Sequence, residues 1–251
     1  MTGSTATLES DSADSRRDTF AHVDTWVFDL DDTLYPRSIG LHDQMKRRVV
    51  LFIADHMKID HAAAEAVHLD YYTRYGATLH GLIDQHGIEP LDFLDFIHDI
   101  DLSALEPNEG LIDALRALPG RRIVFTNASR GHAVASLEVM GMSDLFDAIA
   151  SIEDSDFMGK PHLSAFSGFL DAHGVNPLTS AMFEDRPGNL VVPHELGMKT
   201  VLVIDPSIDE IDAFSKPPHV DIVVADLTAF LGKVGTYAKA GGGMRRFEAA
   251  S

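Results

Sequence analysis

Cysteine is absent from the 251 residues. That excludes disulfides, thiolate nucleophiles and cysteine-ligated zinc. No apolar run approaches the roughly 18 residues of a membrane span, and the opening MTGSTATLESDSADSRRD has no apolar stretch of the kind a signal peptide carries. The cytoplasm is therefore the expected compartment. Positive charge is scarce, with 20 Lys and Arg against 39 Asp and Glu and a formal net charge of -19. So acidic a chain is not expected to bind nucleic acid or an anionic membrane. An anionic substrate would need a cation and a few placed basic groups to overcome the field locally. The 13 histidines are scattered, and pairs such as His56 and His61 lack the i, i+4 spacing of a helical metal site.

Hydrophobic residues make up 45% of the chain and charged residues 24%, enough to bury the core of one large domain or of a main domain with a smaller insert. Residues 1–22 and 238–251 are polar or Gly- and Ala-rich and are expected to be disordered tails. Between them, β-rich runs recur at 24–30, 121–126, 146–152, 180–184, 199–204 and 220–224. Most are separated by amphipathic helical stretches at 109–118, 131–141, 162–173 and 188–196, and another follows at 227–236. This alternation predicts βαβ units, hence a Rossmann-like, doubly wound parallel α/β sheet formed by residues 23–36 and 107–237. Residues 37–106 break the rhythm with helical patterns at 41–56, 61–75, 78–86 and 90–98 and no convincing strand. About 70 residues of helix is too long for a crossover, so the segment is expected to be an inserted helical cap above the end of the first strand, where it could exclude water and select substrate. A helical subdomain that only adds stability is the alternative.

Ligands of such sheets bind at the carboxyl ends of the strands, and four of these ends carry chemistry. The first ends in Asp29, Asp31 and Asp32, within Phe28-Asp29-Leu30-Asp31-Asp32-Thr33-Leu34-Tyr35. Carboxylates crowded beside a buried strand repel and must shed water, so the cluster points to a cation or a reaction. The strand 121–126 ends in Thr126-Asn127, Lys160-Pro161 follows the loop after 152, and the strand 180–184 ends in Glu184-Asp185. Carboxylates from two strand ends suit a hard cation such as Mg²⁺. A hydroxyl, a backbone N–H at a helix start and a lysine suit a phosphate. Each piece alone reads as a helix cap or a surface loop; the four in order do not.

Over residues 24–224 the chain resembles the haloacid dehalogenase-like (HAD) hydrolase superfamily, with its Asp-x-Asp-x-Thr signature at Asp29, Asp31 and Thr33. The resemblance implies that Asp29 is the nucleophile, forming an aspartyl-phosphate, and a Mg²⁺ ligand. It makes Asp31 the general acid and base, with its carbonyl on the metal. Thr126, the Asn127 backbone and Lys160 would hold the phosphoryl group, Asp185 with Glu184 would complete the metal shell, and Thr33 would orient Asp31. Asp32 is expected to form the turn. Expulsion of halide needs neither proton nor metal, so a second aspartate together with Glu184-Asp185 favours phosphoryl transfer over dehalogenation.

Further stretches resemble the pyrimidine 5'-nucleotidase branch: Asp32-Thr33-Leu34-Tyr35-Pro36, Tyr75 to Leu82, Phe125-Thr126-Asn127-Ala128 with His132-Ala133, and Phe183-Glu184-Asp185 with Asn189-Leu190. That branch implies hydrolysis of nucleoside 5'-monophosphates such as UMP or CMP. Phosphatases of other small esters (phosphoglycolate, sugar phosphates), a β-phosphoglucomutase-like phosphomutase and a non-catalytic binding protein remain open, the last disfavoured because no core residue is missing. Arg74 and Tyr75, next to the helix stop Gly76, together with Arg37 and Arg186, are candidate substrate contacts, with packing and exposed ion pairs as the alternatives. His132, in the first turn after Thr126-Asn127, is expected to pack or to touch a catalytic residue rather than to act itself.

Overall fold

The computed structural model describes residues 20–209 and 216–241. Its sheet runs β1 (Thr25–Phe28), β2 (Arg121–Phe125), β3 (Ala148–Ala150), β4 (Ser180–Glu184), β5 (Lys199–Val203) and β6 (Ile222–Val224). All pairings are parallel, in the order β3-β2-β1-β4-β5-β6. β1 sits centrally, and the chain winds outward first through β2 and β3, then through β4, β5 and β6. The carboxyl end of β1 is thus the point where the winding reverses, and a crevice opens at such points because the connections leave in opposite directions.

Strand residues alternate between two buried layers, as the period of 2 requires. Trp26, Phe28, Val124, Ala181 and Phe183 face one layer, covered by α5 (Glu109–Ala117), α6 (Arg130–Val139) and α9 (Leu227–Gly241). Val27, Ile123, Phe125, Met182 and Leu202 face the other, covered by α7 (Leu163–His173) and flanked by α8 (Val191–Leu196). The helix starts are set locally. Asn108 accepts from the Leu111 amide at 3.1 Å to open α5, and Ser129 accepts from that of His132 at 3.3 Å to open α6, satisfying donors that would otherwise be orphaned.

Between β1 and β2 lie α1 (Leu41–Met57), α2 (His61–Tyr75), α3 (Thr78–His86) and α4 (Pro90–His98). They bury their own cluster, including Val50, Ile53, Tyr71, Leu82 and Phe93, against which Ile152 and Phe157 of the sheet domain also pack. α3 approaches α2 closely at Gly81, where an added Cβ would lie 2.4 Å from the Tyr71 ring.

The terminal expectations need correction where they can be compared. Residues 1–19 and 242–251 lie outside the described residues. Phe20, however, is buried, stacked 5.8 Å from Trp26 and edge-on to Phe230 at 5.7 Å, so the core begins before residue 23. α9 continues to Gly241 rather than stopping near 236, its alanines favouring the extension.

Gly81→Ala weighs two effects. The gain in helix propensity is up to about 1 kcal/mol, while overpacking against a ring costs about 1–3 kcal/mol. Tyr71 is pinned by a 2.7 Å hydrogen bond between its hydroxyl and His86 Nε2, so the clash should win. A net loss of about 1–2 kcal/mol in urea unfolding is expected; unchanged or higher stability would contradict the packing.

Candidate active site

A cleft of about 790 Å³ lies between the carboxyl end of the sheet and the four helices α1–α4. Asp29, Asp31, Thr126, Asn127, Lys160 and Asp185 all line it. Sheet register explains the meeting. Phe28 pairs with Val124 on one side and Phe183 on the other, so the next residues, Asp29, Phe125 and Glu184, stand level at three adjacent strand ends.

Lys160 reaches into that row. Its Nζ donates to Asp29 Oδ1 at 2.8 Å, Glu184 Oε2 at 2.7 Å and the Phe125 carbonyl at 2.8 Å. The side chain is almost fully buried. Burial alone would depress the ammonium, but Asp29 and Glu184 outweigh it and hold it charged. The loop carrying Lys160 is clamped by Asn127, whose Oδ1 accepts from the Lys160 amide at 2.7 Å and whose Nδ2 donates to the Lys160 carbonyl at 2.8 Å. Gly159 permits this approach, since a Cβ there would sit 2.6 Å from Asn127 Oδ1. Thr126, 1% exposed, accepts through Oγ1 from the Ala128 amide at 3.0 Å.

Asp29, Glu184 and Asp185 bring carboxylate oxygens within 4.8 Å of one another. Burial first, then Glu184, raises Asp29 from 3.8 to about 8 despite the contact with Lys160. Burial, Glu184 and Asp29 raise Asp185 to about 10. Lys160 bonds two of the three, Asp29 and Glu184; with all three ionised its one positive charge would leave two negative charges, and oxygen donors of this kind suit a hard divalent cation. The donor set therefore fits such an ion. Glu184, expected as a ligand, stands in this group although it does not line the cleft; its Oε2 also accepts from Lys160 and its Oε1 from Asn189 Nδ2 at 3.1 Å. It serves the cluster by fixing Lys160.

Asp31 is held differently. Its Oδ1 accepts from His132 Nε2 at 2.7 Å and from the Tyr35 hydroxyl. Burial favours the neutral acid, but His132 and the hydrogen bonds outweigh it, and Asp31 is lowered to about 2. Thr33, expected to orient Asp31, does not: its Oγ1 is buried without a hydrogen-bond partner. Asp32 takes the left-handed conformation, φ 62°, and this turn brings Tyr35 rather than Thr33 against Asp31. Sequence reasoning passed over Tyr35, whose signal was its i+4 spacing from Asp31, and left His132 without a partner because 101 residues separate the pair.

The tentative substrate contacts divide. Arg37 and Arg186 line the cleft, with the Arg186 guanidinium 4.8 Å from the Tyr72 ring centroid. Arg74 and Tyr75 do not. Arg74 pairs with Asp70 at 2.9 Å on the outer face of α2, and the Tyr75 hydroxyl donates to Asp84 at 2.9 Å. Arg74, two residues after Tyr72, falls on the opposite side of the helix, while Tyr75 packs against the helices' own cluster, edge-on to Tyr71 at 5.8 Å.

The family model for haloacid dehalogenase-like hydrolases matches residues 23–191, and the chain belongs to that family. Phosphate metabolism protein 8 of Saccharomyces cerevisiae is 28% identical over 193 residues, 70% of this chain. The match spans 60% of that relative's length. Among solved structures, a HAD family hydrolase of Deinococcus radiodurans R1 with bound phosphate and sodium superposes with a TM-score of 0.52 at 23% identity, covering 88% of this chain and 97% of that one. A HAD phosphatase of Thermococcus onnurineus gives 0.56 at 16% identity, covering 89% and 100%. A HAD-hydrolase of Bacillus subtilis bound to magnesium gives 0.53 at 14%, covering 84% and 98%. At these identities the likeness shows a common fold. No helix among the described residues is long and apolar enough to cross a membrane.

The raised carboxylates set a pH dependence. A group whose pKa is higher in the folded state stabilises fully below its unfolded value of 3.8 and loses that contribution as pH rises through its folded value. The window therefore runs from about 4 up to about 8 for Asp29 and about 10 for Asp185. The melting temperature of metal-free protein should fall as pH is raised from about 5 to about 9, and saturating Mg²⁺ should flatten the slope. A slope that Mg²⁺ leaves unchanged would contradict this reading of the cluster.

Proposed function

We propose that this chain is a Mg²⁺-dependent phosphomonoesterase acting through an aspartyl-phosphate on Asp29, with pyrimidine nucleoside 5'-monophosphates (UMP, CMP) as its substrates. The observation that carries the reading is the buried Lys160 ammonium bonded to Asp29 in the wall of the cleft. It places fixed positive charge where phosphoryl oxygens would arrive, beside the group that would attack phosphorus.

In this reading the phosphoryl group sits between Asp29, the Thr126 hydroxyl, the Asn127 backbone and Lys160. Asp29 and Asp185, with the Asp31 carbonyl, would hold the ion. A bound Mg²⁺ would keep Asp29 and Asp185 ionised at neutral pH and offset charge on the phosphoryl oxygens. An Asp29 oxygen bonds to phosphorus as the ester P–O bond breaks, and the leaving oxygen takes a proton from Asp31. His132 and the hydrogen bonds keep Asp31 ionised in the free protein; the negative charge of the arriving phosphate raises its hold on a proton, which it would take from the monoanionic ester or from solvent before donating it. Asp31 then removes a proton from water as the water oxygen attacks phosphorus, releasing inorganic phosphate and restoring the Asp29 carboxylate.

Support for a nucleotide comes from the cap side of the cleft. Tyr72 of α2, with Arg186 facing it from the loop after β4, offers an aromatic face and a cation to the cleft, and Met45, Val49 and Leu69 add apolar wall. Placed above the end of β1, the segment 37–106 acts here as the cap that excludes water and selects the leaving group.

A phosphate-release screen over nucleotides, sugar phosphates and phosphoglycolate tests the assignment. Preferred hydrolysis of UMP and CMP without any sugar bisphosphate is expected; preference for another ester would move the substrate, and a requirement for a bisphosphate would make the protein a mutase. Asp29→Asn should abolish turnover with an unchanged circular dichroism spectrum. EDTA should stop the reaction and Mg²⁺ restore it. Turnover by Asp29→Asn, or hydrolysis without metal, would refute the mechanism.

A further inference from the structure

We propose that His132 and Tyr35 are positioning residues that hold the Asp31 carboxyl toward the leaving group, and that His98, on the cap, braces His132. The inference rests on the phosphomonoesterase reading above and adds to it the residues that aim its proton donor.

An aspartate at the end of a strand has two free side-chain torsions, and a carboxyl that swings between rotamers spends little time in line with the leaving oxygen. Two donors from different elements converge on Asp31. Tyr35 comes from the loop after β1, His132 from the first turn of α6, and both meet the same oxygen, Oδ1. Both donors are buried, at 5% and 4% exposure, where hydrogen bonds to a carboxylate are strong. Oδ2 accepts from none of the described residues, and the Asp31 side chain keeps 18% exposure on the cleft. One oxygen is thus anchored from behind and the other is left for chemistry.

Helix capping does not account for His132. Ser129 Oγ caps α6 by accepting from the His132 amide, which leaves the ring free of that duty. Ring Nδ1 is buried without a partner, and Ser136 Oγ lies at the edge of reach, 3.5 Å from Nε2. The short contact of the ring is therefore the one to Asp31.

What fixes the ring itself comes from the cap. His98, the last residue of α4, stacks on His132 with centroids 4.6 Å apart and planes 21° from parallel. Its Nδ1 lies 3.0 Å from Ser129 Oγ, the residue that starts α6. His98 also lines the cleft. α6 and the loop after β1 meet at one carboxyl, and the cap reaches it through His98 on His132, so displacement of α4 would remove that brace.

The test compares leaving groups in the first turnover of the full-length, Mg²⁺-loaded protein. p-Nitrophenolate departs with little need of a proton, whereas the alkoxide of UMP needs one. His132→Leu should slow first-turnover release of uridine by about 100-fold, while slowing the p-nitrophenol burst by less than about 5-fold, with KM within about 3-fold. His132→Gln, which restores an N–H donor, should recover most of the uridine rate. Tyr35→Phe and His98→Ala should show the same selectivity with smaller losses, and Tyr35→Phe supplies the readout if His132→Leu does not fold. Equal slowing of both esters in the folded variants, or no recovery in His132→Gln, would overturn the proposal and leave the phosphatase reading standing. Wild-type protein that releases neither leaving group would remove that reading and this one together.

Discussion

The structure turns on a buried ammonium shared by three strand ends. Parallel register sets Phe125, Asp29 and Glu184 side by side at the ends of β2, β1 and β4, and Lys160 Nζ finds an acceptor on each. A charge this deep is tolerated only because every donor is used; removing one member of such a group leaves the others uncompensated, at about 3–5 kcal/mol. The surrounding features serve it. Asn127 clamps the backbone of Lys160 from both sides, Gly159 leaves room for that clamp, and Asn189 holds the second oxygen of Glu184. The same arrangement that fixes the lysine fixes the carboxylates around which a cation and a phosphate would be bound.

The two aspartates of the signature sit in opposite fields although only one residue separates them. Burial and then the like charge of Glu184 raise Asp29, while at Asp31 His132 and Tyr35 outweigh burial and lower it. This is the reverse of the proton duties the sequence suggests, a nucleophile kept ionised and an acid able to hold a proton. The electrostatics reconcile if the occupants of the cleft supply the missing terms. A divalent cation lowers Asp29, and a dianionic phosphate raises Asp31. In the free state, burial at Asp29 and the contacts of His132 and Tyr35 at Asp31 set each carboxyl against its duty.

The cap illustrates how far periodicity carries. Its four helices fall within a residue of the stretches 41–56, 61–75, 78–86 and 90–98, because each is bounded by a strong local signal: Gly40 before α1, Asp60 capping α2, Gly76 and Gly87 in left-handed conformations after α2 and α3, and Pro90 opening α4. Which side chains of those helices face the cleft was less legible. Arg74 and Tyr75 look suitable by residue type and by closeness to the helix end, yet their partners Asp70 and Asp84 lie on the outer face. Tyr72 carries the aromatic face instead.

By itself the sequence determined the alternation of strands and helices, the place of the helical insert, and the four strand ends where Asp29, Asp31, Thr126, Lys160 and Asp185 reside. These follow from local rules: side-chain periodicity, turn residues, and the high cost of polar groups beside a buried strand unless they are used. Only the tertiary structure decided that Glu184 spends its carboxylate on Lys160 and Asn189, that Thr33 leaves Asp31 to Tyr35 and His132, and that His98 crosses from the cap to stack on His132. The longest-range of these assignments bring residues far apart in the chain within a few ångströms, Lys160 and Glu184 across 24 positions and Asp31 and His132 across 101. Distances of that kind are set by sheet register and helix packing and leave no periodic trace in the chain.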